Sequence, residues 1–351
     1  MFEIEEIHAL ASTREIEQYI ESDPSSLLYV SSRFMRLVSL HLNAHPSLMI
    51  ARQENQIRGV LPYMCKEGPW GAVFNSLPYY GSNGAVVQMK EDAEAKKALI
   101  DAFYTKARQE GAACATIITN PLKHDADFYK NTIATDFLDE RIGQITHLPI
   151  GATEEELMRL FDDPRPRNIR RAQREGIHVE LRRDKDSLDF VYRTHVENIQ
   201  AIGGLPKQKS FFDLIPEIME EDDWAVYLAV LNGEPVAGLL LFYYNRTVEY
   251  FTPVIIERFR STQALALAIF RAMHDALQNG YANWNWGGTW LSQTGVYDFK
   301  KRWGTSEYRY FYFTRLFNKE LLASPRELLL QHYPGFFTVP FTALHTKGGI
   351  Q

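Results

Sequence analysis

The sequence predicts an α/β protein made of two domains of like pattern, and three observations carry that expectation. First, a strand–turn–strand pattern occurs twice. It is read in SLMIARQENQIRGVLPYMCK, with a polar turn at Gln53 to Gln56, and again in WAVYLAVLNGEPVAGLLLFYYN, with Asn232-Gly233 at the turn. Second, each hairpin is followed by a further strand, a helix and another strand: EDAEAKKALIDAFYTKARQEG leads into AACATIIT, and STQALALAIFRAMHDALQNG leads into YANWNW. Third, both helices carry apolar residues at helical spacing and both stop at a glycine. The apolar positions are Ala95, Leu99, Ile100 and Phe103, then Leu265, Ile269, Phe270 and Met273; the stops are Gly111 and Gly280. The repeat period is too long for a solenoid, so duplication of a domain is the expectation.

Size and composition agree. A chain of 351 residues is long enough for two cores, and 45% hydrophobic with 23% charged residues is the balance of a globular protein. A net charge of −6 argues against general affinity for a polyphosphate backbone, while leaving room for a local basic patch. Two cysteines, Cys65 and Cys114, stand far apart without metal-type spacing, and no metal is expected. The start, MFEIEEIHALASTREIEQYI, is acidic and amphipathic, unlike a secretory signal, and no run of about 18 apolar residues occurs. A cytoplasmic protein without stable membrane insertion is the expectation; its oligomeric state is not legible.

The boundary is placed in LPIGATEEELMRLF. Pro149 and Gly151 break a strand there, and Thr153 with Glu156 forms a capping box for the next helix. The expected division is 1–150, 151–316, and a C-terminal helix and tail at 317–351, with a cleft between the domains as the default ligand site.

Four stretches could carry chemistry. In DDPRPRNIRRAQREGI, Arg167, Arg170, Arg171 and Arg174 share one helical face suited to a phosphate, although a solvated face balanced by Asp162, Asp163 and Glu175 explains them equally. In ERFRSTQALALAIF, a polar turn with Arg258, Arg260, Ser261, Thr262 and Gln263 opens a helix after a strand. Free backbone N–H groups would accept a phosphate there; a plain cap is the alternative. The loops LPYYGSNGAVV, with Tyr80, and AIGGLPKQK, with Gly204 and Pro206, are shaped and polar but unspecific. In NWNWGGTWLSQTGVYDFKKRWG, alternation puts Trp284 and Trp286 on one face and Asn283 and Asn285 on the other, and Gly287-Gly288 ends the strand. Lys300 then lies among Tyr297, Phe299 and Trp303, where it either snorkels outward, the stronger reading by itself, or holds an anionic group inside a pocket.

Together these residues resemble the FemABX group of aminoacyl- and acyltransferases in the GNAT (N-acetyltransferase) superfamily. The resemblance rests on Arg167-Asn168-Ile169-Arg170-Arg171-Ala172 with Gly176-Ile177, on Gly204-Leu205-Pro206, and on Ser261-Thr262-Gln263-Ala264-Leu265. Gly287-Gly288, Phe299-Lys300 and Trp303-Gly304 complete it, so it covers residues 152 to 316. It implies two tandem GNAT-like domains, each a mixed, mostly antiparallel sheet flanked by helices. It also implies transfer of an acetyl or aminoacyl group from acyl-CoA, or from aminoacyl-tRNA, to an amine of a sugar-nucleotide, peptide or cell-envelope precursor. The helical arm of some members is absent.

By the resemblance, Lys300 matches the lysine that stabilises the reacting ester, and Arg167, Arg170 and Arg171 lie where a substrate phosphate sits. Arg258, Arg260, Ser261, Thr262 and Gln263 are assigned to the donor, and Tyr80, Gly204, Pro206, Trp286 and Gly288 to the acceptor. Tyr250, Glu249 and Asp298 are open alternatives for the proton relay, and His195 reads as structural. Dependence on an acyl carrier protein, or ligand binding without catalysis, are the other classes that remain open.

Overall fold

The computed structural model describes residues 2–79, 84–290 and 292–344. Contacts divide the chain into two compact units, Met1–Ile142 with Arg309–Gln351, and Gly143–Tyr308. The chain passes between them within β6 (Phe137–His147) and β12 (Ser306–Leu316).

The first unit contains β1 (Glu3–His8), α1 (Arg14–Ser22), α2 (Ser32–Leu42), β2 (His45–Gln53), β3 (Gln56–Lys66), β4 (Val73–Asn75), α3 (Ala93–Gln109), β5 (Cys114–Ile118) and α4 (Ala126–Thr132). β1, β2, β3 and β4 pair antiparallel in succession, β5 joins β4 in parallel, and β12 closes antiparallel on β5. The β2–β3 turn places Glu54 and Asn55 at φ 52° and 62°, the left-handed pair that a two-residue hairpin requires. α3 turns Ala95, Leu99, Ile100 and Phe103 onto this sheet, where they join Tyr63, Phe74 and Phe313 in one core. The segment beyond β12 also belongs here. α11 (Arg326–His332) is followed by chain whose Tyr333, Phe336 and Val339 are buried, so the expected tail is packed structure.

The second unit contains α5 (Glu154–Arg159), α6 (Arg165–Arg174), β7 (His178–Arg182), α7 (Lys185–Gln200), α8 (Lys209–Ile218), β8 (Trp224–Leu231), β9 (Glu234–Tyr244), β10 (Thr247–Ile255), α9 (Ala264–Gln278), β11 (Asn283–Thr289) and α10 (Thr294–Lys301). Its strands repeat the scheme: β7, β8, β9 and β10 are antiparallel in succession and β11 is parallel to β10. The capping box of Thr153 and Glu156 forms as expected. α9 is apolar nearly all round because it lies on β8 and β9 with one side and against α6 with another. The duplicated order of hairpin, strand, helix and parallel strand is thus present in both units.

One strand end differs from expectation. Gly287-Gly288 does not end β11, which runs on through the pair to Thr289 with Gly287 at φ 72°.

Candidate active site

The site begins where two parallel strands part. β10 and β11 are paired only at Thr247–Asn283, Val248–Trp284 and Glu249–Asn285, yet β10 continues to Ile255 and β11 to Thr289. A bulge between Tyr250 and Thr252 kinks β10 at the same point. Backbone groups of the diverging halves lose their ladder partners, and buried groups of that kind need others. Asn198 of α7 supplies some, donating to Ile255 O (2.9 Å) and accepting from Ile255 N–H (3.1 Å). Asn285 supplies more: its amide donates to both Glu249 carboxylate oxygens (3.1 and 2.9 Å), and its oxygen accepts from Gly287 N–H (2.9 Å).

Lys300 supplies partners for two carbonyls. It is buried, 7% exposed, and its ammonium donates to Thr289 Oγ1 (2.9 Å), Gly288 O (3.2 Å) and Gly287 O (3.4 Å). The outward reading is therefore corrected. Carbonyls freed by the Gly-Gly stretch offer acceptors that solvent would otherwise have to provide, and they draw the lysine in. Burial lowers its pKa to about 8. Thr289 Oγ1 passes the network to Gln144 Oε1 (3.3 Å), and Gln144 Nε2 donates to Tyr297 O on α10 (3.1 Å), so the helix carrying Lys300 is tied to the strand it serves.

A cavity of about 350 Å³ opens beside the divergence. Tyr250, Phe299 and Lys300 line one part of it; Pro253, Val254 and Ile255 of β10, with Asn198, Leu265, Val296, Gly295 and Arg260, line the remainder. Burial pushes the Tyr250 phenol up, while the Arg165 guanidinium works in the other direction. Arg165, at the first turn of α6, is a buried cation that sequence reasoning missed as a site residue. It lies over the Phe299 ring (4.3 Å) and the Trp303 ring (5.3 Å), and its Nη2 donates to Phe299 O (3.2 Å). Its Nε is buried without a partner among the described residues, and burial, then Arg302, lowers its pKa. The readable signal was the i, i+4 spacing of the two rings around Lys300, which leaves a slot for a planar cation.

Of the other expected residues, Glu249 is buried on β10 and Asp298 is exposed on α10, away from the cavity lining. Trp286 is a wall residue, its indole N–H donated to Thr146 Oγ1 (2.9 Å) and its ring against Tyr250, with centroids 4.7 Å apart. Gly288 gives its carbonyl to Lys300.

Before α9, residues Glu257–Thr262 form a 3-10 turn, and Gln263 follows in the left-handed region. Thr262 is spent internally, its hydroxyl donating to Phe259 O (2.7 Å) and accepting from Ala264 N–H (3.3 Å). Gln263 donates its side chain to Arg260 O (3.1 Å). The open helix start expected there is thus partly closed by its own turn. Arg258 and Ser261 are exposed outside the cavity lining, and Arg260 reaches it.

On α6, Arg167, Arg170 and Arg174 with Gln173 line a separate surface hollow, whereas Arg171 turns to Glu175 (2.9 Å). Gly204 and Pro206 belong to the loop after α7, where a Cβ on Gly204 would meet Ile199 Cγ2 at 2.8 Å. That loop is held by His195, whose Nε2 accepts from Lys207 N–H (3.0 Å) and whose pKa burial pushes to about 4. Tyr80 lies outside the described residues.

Two predictions rest on this geometry. Gly304 (φ 70°) would place a Cβ 2.6 Å from Leu160 O, a backbone atom that cannot swing aside. Gly304→Ala should lower unfolding free energy by about 2–4 kcal/mol in urea titration, and an unchanged midpoint would show that the α5–α10 approach is slack. Asn285→Ala strips the Glu249 carboxylate of two bonds. It should cost roughly 2–3 kcal/mol by the same measurement, and a loss below about 0.5 kcal/mol, the ordinary size of a neutral surface change, would count against the network.

Residues 165–301 match the family model described as an acetyltransferase (GNAT) domain. No curated protein matches the sequence significantly. Among solved structures, one of FemX superposes with a TM-score of 0.73 at 18% identity, over 90% of this chain and 98% of that one. A conserved protein of unknown function from Bacteroides thetaiotaomicron gives 0.59 at 13% identity, over 90% and 100%. A tandem GNAT protein from the clavulanic acid biosynthesis pathway gives 0.55 at 10% identity, over 90% and 98%. Residues 165–301 thus match an acetyltransferase (GNAT) domain, and the chain as a whole shares the fold of the FemX structure and of the tandem GNAT protein.

Proposed function

We propose that this N-acyltransferase takes an acyl group from an acyl-coenzyme A and transfers it to an amino group of a sugar-nucleotide, peptide or cell-envelope precursor in the cytoplasm. The observation that carries the reading is the cavity ending on Tyr250 and Lys300 where β10 and β11 part. A flexible thioester arm can lie along the freed edge of β10, with Pro253, Val254, Ile255 and Leu265 against its apolar stretches and Arg260 near its anionic end. The duplicated domains divide near residue 150 in this reading, a different division from the contact boundaries at 142/143 and 308/309.

The amine nitrogen attacks the thioester carbonyl carbon, the N–C bond forms, and the C–S bond breaks. The ammonium loses its proton to solvent, since Glu249 is buried off the cavity lining, and Tyr250 gives one to the departing sulfur. Lys300 acts through its charge. Its three N–H donors are already directed at Gly287 O, Gly288 O and Thr289 Oγ1, so it stabilises the oxyanion at a distance and holds the strand edge in place. Asp298, exposed on α10, has no part in this relay.

An aminoacyl-tRNA donor is the second reading. The arginine hollow on α6 favours it, because guanidinium groups suit a polyphosphate chain. Turnover with acyl-coenzyme A against charged tRNA separates the two readings. Activity with tRNA alone, or only with an acyl carrier protein, would sink the first.

Lys300→Ala should reduce kcat by roughly 10²–10³; unchanged turnover would remove its role. The pH dependence follows from its folded pKa of about 8, below the ordinary lysine value. Activity that needs the ammonium should fall as pH rises through about 8, and the residual activity of Lys300→Met should lack that limb. Lys207, which burial also lowers to about 8, is the control: a limb that survives Lys300→Met and vanishes in Lys207→Met reassigns it. Stability should run the other way. The cost of burying the charge is fully present below pH 8 and is relieved between about 8 and 10.5, because only the unfolded chain holds that proton there.

A further inference from the structure

The first unit repeats the strand scheme of the second, so it contains a counterpart of the place where the strands part. β4 and β5 are paired in parallel at Val73–Cys114, Phe74–Ala115 and Asn75–Thr116. In register, Asn75 and Thr116 stand where Glu249 and Asn285 stand in the second unit. Beyond that pair the two units differ. Ser76 N–H donates to Thr116 O (2.9 Å) and Ser76 Oγ accepts from Ile118 N–H (2.8 Å), which stitches the strands together just past the paired triplet. The chain then turns away through Leu77 and Tyr79, both non-glycine residues in the left-handed region, at φ 71° and 79°. Backbone held there is strained and persists only where surrounding contacts hold it.

At Asn75 and Tyr79, contacts come from the C-terminal segment. Asn75 reads one residue of that segment at two points: Nδ2 donates to Phe337 O (2.9 Å) and Oδ1 accepts from Phe337 N–H (2.8 Å). A neighbouring strand would satisfy a backbone in the same way. Tyr79 N–H donates to Gly335 O (3.0 Å). Gly335 (φ 77°) allows this approach, because a Cβ there would stand 3.0 Å from both Leu42 and Tyr79. The Phe337 ring packs on Tyr312 with centroids 4.7 Å apart, and Phe336, Thr338 and Val339 are buried beside it. Upstream, the Tyr333 hydroxyl donates to Gly71 O (2.7 Å) and accepts from Trp70 N–H (3.3 Å).

We propose that the end of the β4–β5 pair, the first unit's counterpart of the donor site, is a receptor for an aromatic peptide segment, occupied in cis by residues 335–339, so that each chain binds one acyl donor. The number of donors bound rests on the acyl-coenzyme A reading; the receptor itself does not. Asn75 in place of Glu249 is what such a conversion requires. A carboxylate only accepts, whereas a carboxamide both donates and accepts and so matches a peptide unit.

The test uses the full chain. Asn75→Ala removes both bonds to Phe337, and hydrogen–deuterium exchange of the Phe337 amide should accelerate about tenfold or more. Coenzyme A binding by calorimetry should stay at one per chain with unchanged affinity. Phe337→Ala, which removes the ring from Tyr312, serves if Asn75→Ala proves too unstable, and should speed exchange across 335–339. Unchanged exchange in both variants, or two coenzyme A molecules per chain, would overturn the inference. Failure of coenzyme A to bind at all would instead count against the acyl-coenzyme A reading, and the exchange data alone would then decide the receptor.

Discussion

The separation of β10 from β11 after Glu249–Asn285 is the constraint on which the second unit depends. Parting two parallel strands inside a protein strands their N–H and C=O groups, and each group left unpaired costs about 1–3 kcal/mol. The chain meets that cost with side chains drawn from elsewhere: Asn198 at Ile255, Asn285 at Gly287, and Lys300 at Gly287 and Gly288. Two of these side chains, Asn198 and Lys300, also line the cavity. The same asparagine that serves Gly287 holds the Glu249 carboxylate, and the same lysine that serves two carbonyls leaves its charge on the cavity lining.

This constraint also explains which features are legible in the sequence. The two hairpins, the two glycine-stopped helices and the capping box at Thr153 rest on interactions within a few residues, so alternation, turn residues and helical spacing report them. Lys300 misleads in isolation because its acceptors lie on another element, and no local pattern announces carbonyls freed by a diverging strand. The family resemblance points to the residue, but not to the reason it is buried. Thr262 is a second case in which the local pattern is incomplete. Its position before an apolar helix suggests an open anion site, while a 3-10 turn upstream uses its hydroxyl internally. Arg165 escapes notice because it opens a run of arginines whose remaining members are exposed; only the slot between Phe299 and Trp303 distinguishes it.

The two units show how one strand scheme supports different outcomes. Both pair the third and fifth elements of the repeat over three residues. In the second unit β10 carries on for six further residues, from Tyr250 to Ile255, and the gap is left beside a cavity. In the first unit β4 stops at Asn75, a serine bridges the two strands one step further on, and Phe337 pairs with the Asn75 side chain. The difference is one of strand length and side-chain type at a single register position, which a comparison of hydrophobic patterns does not detect.

A buried ammonium with three acceptors also limits how Lys300 can act. Donating directly to an oxyanion would require it to release one of those partners, and the longest bond, to Gly287 O at 3.4 Å, is the one that gives way at least cost. Such a release would loosen the Gly-Gly stretch as negative charge develops, whereas action through the field leaves it in place. Fixed charge that need not reorganise is the more effective stabiliser of a transition state. The tie from Thr289 through Gln144 to Tyr297 favours the fixed arrangement, because it holds α10 and the strand edge together while the charge on the substrate changes.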